Sequence, residues 1–227
     1  MKQSIFLAAG ALAAVLAGTA PAGAVFLTFQ GGLAQEASWR AAAGTTAIET
    51  FEALPQGTNI SALPLLGVSF DELAPGRFPA VYVHGVNNTP SGRRQLGNMP
   101  SGFPNEPAFQ FSDIEMRVLS GQVITAVGYW NGDPQGPMVA TVFDALDNLL
   151  GSVSAAVNAG GGNTFAGFVS DVPIARVHFE GQTGDGFNHI DDLQTNVRAA
   201  AVPEPVSLGL LGLGLVGLGI ARRRRMR

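Results

Sequence analysis

Residues 114–132 read IEMRVLSGQVITAVGYWNG, and their pattern decides the fold class. Ile114, Met116 and Val118 alternate with Glu115 and Arg117, so an extended segment here has one apolar and one charged face. Residues 122–130 then form a longer apolar run that ends at a turn signal, Asn131-Gly132. The alternation recurs further along the chain, at Val139, Thr141 and Phe143 and again at Ala175, Val177 and Phe179. Other short apolar runs predict strands over 46–52, 67–70, 80–83, 165–170 and 191–197, with further turn signals at Gly151 and at Gly160-Gly-Gly162. Only the segment Leu33–Ala43 has helical spacing.

Roughly ten short strands in one body predict an all-β fold, a two-sheet antiparallel β-sandwich of jelly-roll type. The chain has fourteen phenylalanines, and those along these strands, such as Phe51, Phe70, Phe143, Phe165, Phe168 and Phe179, supply large side chains for the inward faces. No internal repeat is visible, which excludes a propeller or solenoid. Residues 84–107 depart from this compactness. They are rich in Gly, Pro and Asn with little to bury, which predicts a long irregular loop.

The two ends of the 227-residue chain read as signals rather than as fold. Lys2, an apolar stretch from Ile5 to Leu16 and the small-x-small site Ala22-Gly-Ala24 make residues 1–24 a secretory signal peptide, with an N-terminal signal helix. That leaves 25–198 as the body and 199–227 as a tail. In the tail, Val202-Pro-Glu-Pro205 is an extended handle, because two prolines deny it helix. The Leu/Gly-rich run 206–221 predicts a membrane helix roughly 24 Å long, slightly short for a hydrocarbon core of about 30 Å. The cluster 222–227, with Arg222, Arg223, Arg224 and Arg225, sets topology. By the positive-inside rule it stays cytoplasmic and leaves the body outside the inner membrane.

The handle, the apolar run and the arginine cluster, in that order, resemble the PEP-CTERM sorting signal of Gram-negative bacteria. The resemblance covers residues 202–227. It implies handling by an exosortase, a membrane protease acting near Val202, Pro203, Glu204 and Pro205. It further implies an association with exopolysaccharide or biofilm matrix. It bears on where the protein goes and leaves the body's own role open.

Composition closes several classes. The chain has no cysteine, so disulfides, thiol catalysis, zinc ribbons and iron–sulfur sites are excluded. Between residues 25 and 202 there are 16 acidic and 7 basic side chains, a net of −9. Nucleic acid, which needs phosphate-neutralising Lys and Arg, is therefore not a partner. Cations, neutral glycans or a basic partner suit such a body better.

Two candidate sites stand out. Glu52, early in the body, and Asp191 and Asp192, on its last strand, would meet if the terminal strands lie side by side. Their hard oxygens would then suit a structural Ca²⁺. The plainer alternative is three solvated strand-end carboxylates. Tyr82 and Trp130 are candidates for stacking on sugar rings. Alternation forbids Tyr129 and Trp130 from sharing a face, so one of them belongs to the core. His178 reads as a surface residue, and His189 as one held by the acidic pair.

No catalytic residue is assigned, since there is no G-x-S-x-G elbow and His84, His178 and His189 lack metal spacing. The expected protein is exported with the general secretion machinery and exosortase as partners. It passes through a transient inner-membrane intermediate to the cell surface or extracellular matrix. Its expected role is non-catalytic, binding or organising extracellular polysaccharide. The alternatives are a glycan-active hydrolase or lyase and a purely structural matrix protein.

Overall fold

The computed structural model describes residues 25–83, 89–98, 113–132, 136–156, 164–181 and 188–200. The signal segment 1–24, the Gly160-Gly-Gly162 turn and the tail from 201 onward, including its predicted helix, lie outside these described residues.

The described residues form two antiparallel sheets. The larger contains β1 (Phe26–Gly31), β2 (Ala47–Glu49), β5 (Ala80–Val83), β6 (Arg94–Gly97), β8 (Gln122–Asn131), β11 (Phe165–Ile174), β13 (His189–Thr195) and β14 (Arg198–Ala199). Its order is β1-β11-β8-β13-β6-β5, with β2 paired to β13 and β14 to β8. The smaller sheet contains β3 (Ala62–Leu63), β4 (Val68–Phe70), β7 (Ile114–Val118), β9 (Met138–Phe143), β10 (Leu149–Ala155) and β12 (Arg176–Gly181). Its order is β10-β9-β12-β7-β4-β3.

Period-two alternation explains why the sheets stack. On β7, Ile114 and Met116 turn inward; on β12, Val177 and Phe179 do the same. They meet Tyr129, Phe168, Ile190 and Leu193 from the larger sheet in one apolar cluster. The Tyr129 and Phe179 rings meet edge to face at 5.1 Å, and Phe26 stacks on Phe168 at 5.6 Å. Each fully buried ring of this kind contributes about 1.5–3 kcal/mol. Tyr129 is thus the core member of the Tyr129–Trp130 pair, and burial raises the pKa of its phenol.

The predicted helix forms as α1 (Leu33–Ala43) and packs on the outer face of the larger sheet. Trp39 is its anchor. The indole lies over Gly128 and Gly167, which face each other across β8 and β11, and a methyl group at Gly167 would stand 2.7 Å from Trp39 Cδ1. Trp39 Nε1 donates to the Phe168 carbonyl at 3.1 Å, and the ring meets Phe165 at 5.7 Å.

Several sequence expectations change here. Val139, Thr141 and Phe143 do share a face, but it is the outer one, and Met138, Ala140 and Val142 point inward. Phe143 is covered by the Arg176 guanidinium, 3.7 Å from its ring centre. Gly151 is a strand residue at a register shift in β10, where the Phe26 ring leaves no room for a side chain. The turn before it uses Asp144, whose Oδ1 accepts from the amides of Leu146 and Asn148. Of the expected loop 84–107, residues 84–88 and 99–107 lie outside the described residues, and the described part is not irregular throughout. Residues 94–97 form β6 between β5 and β13, because Leu96 fills a core position that the Gly/Pro-rich composition hid.

Candidate functional site

The acidic pair lies on β13, in an irregularity of the ladder. Asp191 pairs with Trp130 and Gln194 with Gly128, so β13 spends one more residue than β8 over the same interval. That extra residue is a β-bulge, and Asp192 takes φ 46°, in the left-handed region. Regular alternation would send Asp191 and Asp192 to opposite faces. The bulge instead turns both toward the outer face, while Leu193 still reaches the core.

Cross-strand register then builds a row over that outer face. Tyr82 on β5 lies opposite Gln95 on β6. Gln95 is next to Asp191, since Leu96 pairs with Ile190 and Gly97 with His189. Asp191 lies opposite Trp130, and Trp130 opposite Phe165. One half of the row is covered by α1 and the other by residues 89–93, a strap that leads into β6. Asp191 Oδ2 accepts hydrogen bonds from the hydroxyls of Thr89 and Ser91, the latter at 3.3 Å. Its Oδ1 accepts from the Asp192 amide at 2.7 Å. Ser91 also bonds the Asp192 carboxylate.

Glu52 clamps the far side of the strap. Phe51, at φ 59°, drops into the core, and the chain then carries Glu52 out toward residues 92–94. Glu52 Oε1 accepts from the amides of Arg93 at 2.6 Å and Arg94 at 2.7 Å, and the Arg94 guanidinium donates to the Glu52 carbonyl. Gly92 is required at this contact. Its φ is 149°, and an added methyl would lie 2.6 Å from Glu52 Oε1.

Sequence reading missed a fourth carboxylate, Glu36 on α1. It is buried, with Oε1 bonded by Gln194 Nε2 at 2.7 Å and Arg40 Nη2 at 2.7 Å, and Oε2 bonded by Trp130 Nε1 at 3.2 Å. Its signal was available only as a lone acid on the helix face that also carries Trp39 and Arg40.

Burial pushes the Asp191 carboxyl up to about 8. The Thr89 hydrogen bond opposes this, and the charges of Asp192 and Glu52 add to it. Asp192 is also raised, first by burial, against the Ser91 hydroxyl bond and with the Glu36 charge adding to it.

The structure thus brings Asp191 and Asp192 together with Glu52 close enough to act on Asp191 through its charge. Glu52's Oε1 is nevertheless occupied by backbone amides. Among the described residues, no group of three or more His, Cys, Asp or Glu side chains is placed to hold a metal ion. The glycan-stacking pair separates. Trp130 is only 5% exposed beneath α1, because its indole N–H is bound by Glu36, so it offers no ring to a ligand. Tyr82 remains partly exposed and stacks on buried His189 at 5.3 Å, so His189 meets an aromatic ring. The backbone amides of Arg93 and Arg94 serve the strap clamp.

On the opposite side of the sandwich, the outer face of the smaller sheet carries a charge network. His178 lies between Glu115 Oε2 at 2.9 Å and Asp113 Oδ2 at 3.2 Å, and Arg176 bridges Glu115 and Asp147. His178 is therefore outward-facing as expected, but held by two carboxylates.

Residues 201–225 match the family model for the PEP-CTERM protein-sorting motif. That motif is the sorting signal for exosortase, and it marks the chain as secreted and directed to the cell surface. No curated protein matches the chain in sequence. Among solved structures, the K1 cleaved adhesin domain of Lys-gingipain from Porphyromonas gingivalis W83 is similar at 10% identity and a TM-score of 0.31. It aligns with 70% of this chain and 100% of its own. TmCBM61, solved with beta-1,4-galactotriose, is similar at 12% identity and a TM-score of 0.24, covering 70% of this chain and 90% of its own.

Proposed function

We propose that this chain is a surface or exopolysaccharide-matrix protein whose jelly-roll-like body binds or organises extracellular glycan without catalysing a reaction on it. The tail match at residues 201–225 carries the reading, because it directs the body to the compartment where such polymers lie. After export through the general secretion route, the tail would hold the chain transiently in the inner membrane until exosortase releases it near residues 202–205.

The face around Tyr82 supports a glycan ligand. Its partly exposed ring is fixed by the His189 stack, and stacking on a sugar ring asks for a pre-oriented aromatic surface. The carboxylates at the site support a non-catalytic role. Asp191 and Asp192 are buried under the strap and Glu52 is engaged by backbone amides, so none of the three stands free to flank a glycosidic bond.

The test is a pull-down of the purified body, residues 25–200 within the tailless protein, on insoluble extracellular polysaccharides, with reducing ends assayed in the supernatant. Retention that is lost in Tyr82→Ala, with no reducing ends released, is expected. Release of reducing ends would overturn the reading in favour of a hydrolase or lyase. Absence of retention on every polymer would leave a purely structural matrix protein.

A further inference from the structure

The outer face of the larger sheet holds buried acceptors that no donor reaches. Asp192 Oδ1, Gln194 Oε1 and both amide atoms of Gln95 are buried without a hydrogen-bond partner. Asp191, Gln95 and Gln194 are 0% exposed and Asp192 is 3% exposed. Gln95 sits beside Asp191 in the ladder, and its amide reaches across β13 to Gly132, just past the end of β8, where an added methyl would lie 2.3 Å from Oε1. The side chain therefore runs over the strand that bears the acidic pair. An orphaned buried acceptor costs about 1–3 kcal/mol, so Asp192 Oδ1 and Gln194 Oε1, two residues apart on β13 and beside the buried Asp191 carboxylate, call for a positive centre to complete them. Of the nearby cations, Arg40 is engaged by Glu36, while Arg94 donates from its Nη1 to the Glu52 carbonyl and keeps its Nε buried without a partner.

We propose that the Asp191–Asp192 bulge, roofed by the 89–93 strap, is a structural site for a hard divalent cation, namely Ca²⁺. The two aspartates are its charged ligands. Neutral oxygens fill the remaining positions, drawn from the orphaned amide oxygens and from the Thr89 and Ser91 hydroxyls that already lie against Asp191. A donor set without sulfur or imidazole, low in charge and rich in neutral oxygen, fits Ca²⁺ rather than zinc or copper. Glu52 acts from outside the coordination sphere, adding negative field while its Oε1 holds the strap. The ion joins strap to sheet in a chain that has no cysteine to form a disulfide. The inference is independent of the glycan reading, and its test uses no polysaccharide.

The tailless protein is stripped with EGTA, and its melting temperature is measured with and without about 1 mM Ca²⁺, the upper range for extracellular modules. Tb³⁺ is then added to look for luminescence excited through Trp130, which lies opposite Asp191. The expected result is a rise of about 5 °C or more with Ca²⁺, together with Tb³⁺ emission that Ca²⁺ quenches by displacement. Asp192→Asn loses both responses yet still folds, because Asn tolerates the left-handed backbone at 192 and relieves a buried charge. Asp147→Asn, in the turn between β9 and β10 of the smaller sheet, keeps both responses. The proposal is overturned if chelation and Ca²⁺ leave the wild-type melt unchanged, or if Asp192→Asn responds to Ca²⁺ as the wild type does.

Discussion

Replacing Gly92 with Ala tests whether the strap is clamped by Glu52. Two costs follow from the local geometry. The added methyl would stand 2.6 Å from Glu52 Oε1 and 2.8 Å from its Cδ, so the carboxylate must withdraw. The backbone at φ 149° is also open to glycine and strained for alanine, worth about 1–3 kcal/mol. Withdrawal breaks the bonds from the Arg93 and Arg94 amides, charge-assisted contacts worth about 1.5–3 kcal/mol each where well shielded. Both sit at a partly solvated edge and water replaces part of each, so the net loss should be about 2–4 kcal/mol in urea unfolding. Hydrogen exchange supplies the specific readout, with faster exchange at the Arg93 and Arg94 amides and little change at Val127 or Phe168. The double mutant Gly92→Ala/Glu52→Ala should cost clearly less than the two singles summed, because the clash and the clamp share one carboxylate. A Gly92→Ala protein within about 0.5 kcal/mol of wild type, with Arg93 and Arg94 protection intact, would refute the clamp.

Three further outcomes are expected. Trp39→Ala should destabilise by about 3–5 kcal/mol in denaturant titration, whereas Gly167→Ala, which overfills the same groove, should cost about 1–3 kcal/mol and become milder in the Trp39→Ala background. In EGTA, the contribution of Asp191 to wild-type stability should be full below about pH 4 and be lost as pH rises toward and through about 8, because a carboxyl raised by folding favours the native state only while protonated. Asp191→Asn should flatten that fall, and an unchanged slope would contradict the assignment. Deleting residues 202–205 should leave the chain with its tail attached, seen by intact mass of the cell-surface fraction. Normal release would mean that the motif is not the processing handle.

The strands carrying the core were legible because their alternation is a local property. Ile114 and Met116, or Val177 and Phe179, need no knowledge of partners to be read as one face. Helix α1 was legible for the same reason. The alternation at Val139, Thr141 and Phe143 was read correctly too, but its direction was not, since Met138, Ala140 and Val142 are the residues the opposing sheet covers. β6 was hidden because four residues among glycines and prolines become a strand only when β5 and β13 lie on either side. Trp130 failed as a ligand-stacking ring because nothing in its own sequence shows that α1, some ninety residues earlier, covers its face.

The acidic pair shows where local reading and tertiary structure part. Two adjacent strand residues cannot serve one site unless the strand is irregular there, and no residue type in Ile190-Asp-Asp-Leu193 enforces irregularity by itself. Asp tolerates φ above zero better than most residues, but it does not require it. What fixes the bulge at 192 is the demand on either side. Ile190 and Leu193 must both reach the core, an odd separation that period-two alternation cannot meet without one extra residue. The apolar core thereby forces two carboxylates onto the same outer face, where the strap and α1 bury them. A fold that wanted only stability would place apolar residues at such positions, since burying two acids side by side is unfavourable by itself. The proposed cation would offset that cost, and would thereby tie the closed strap to the compartment the sorting tail selects.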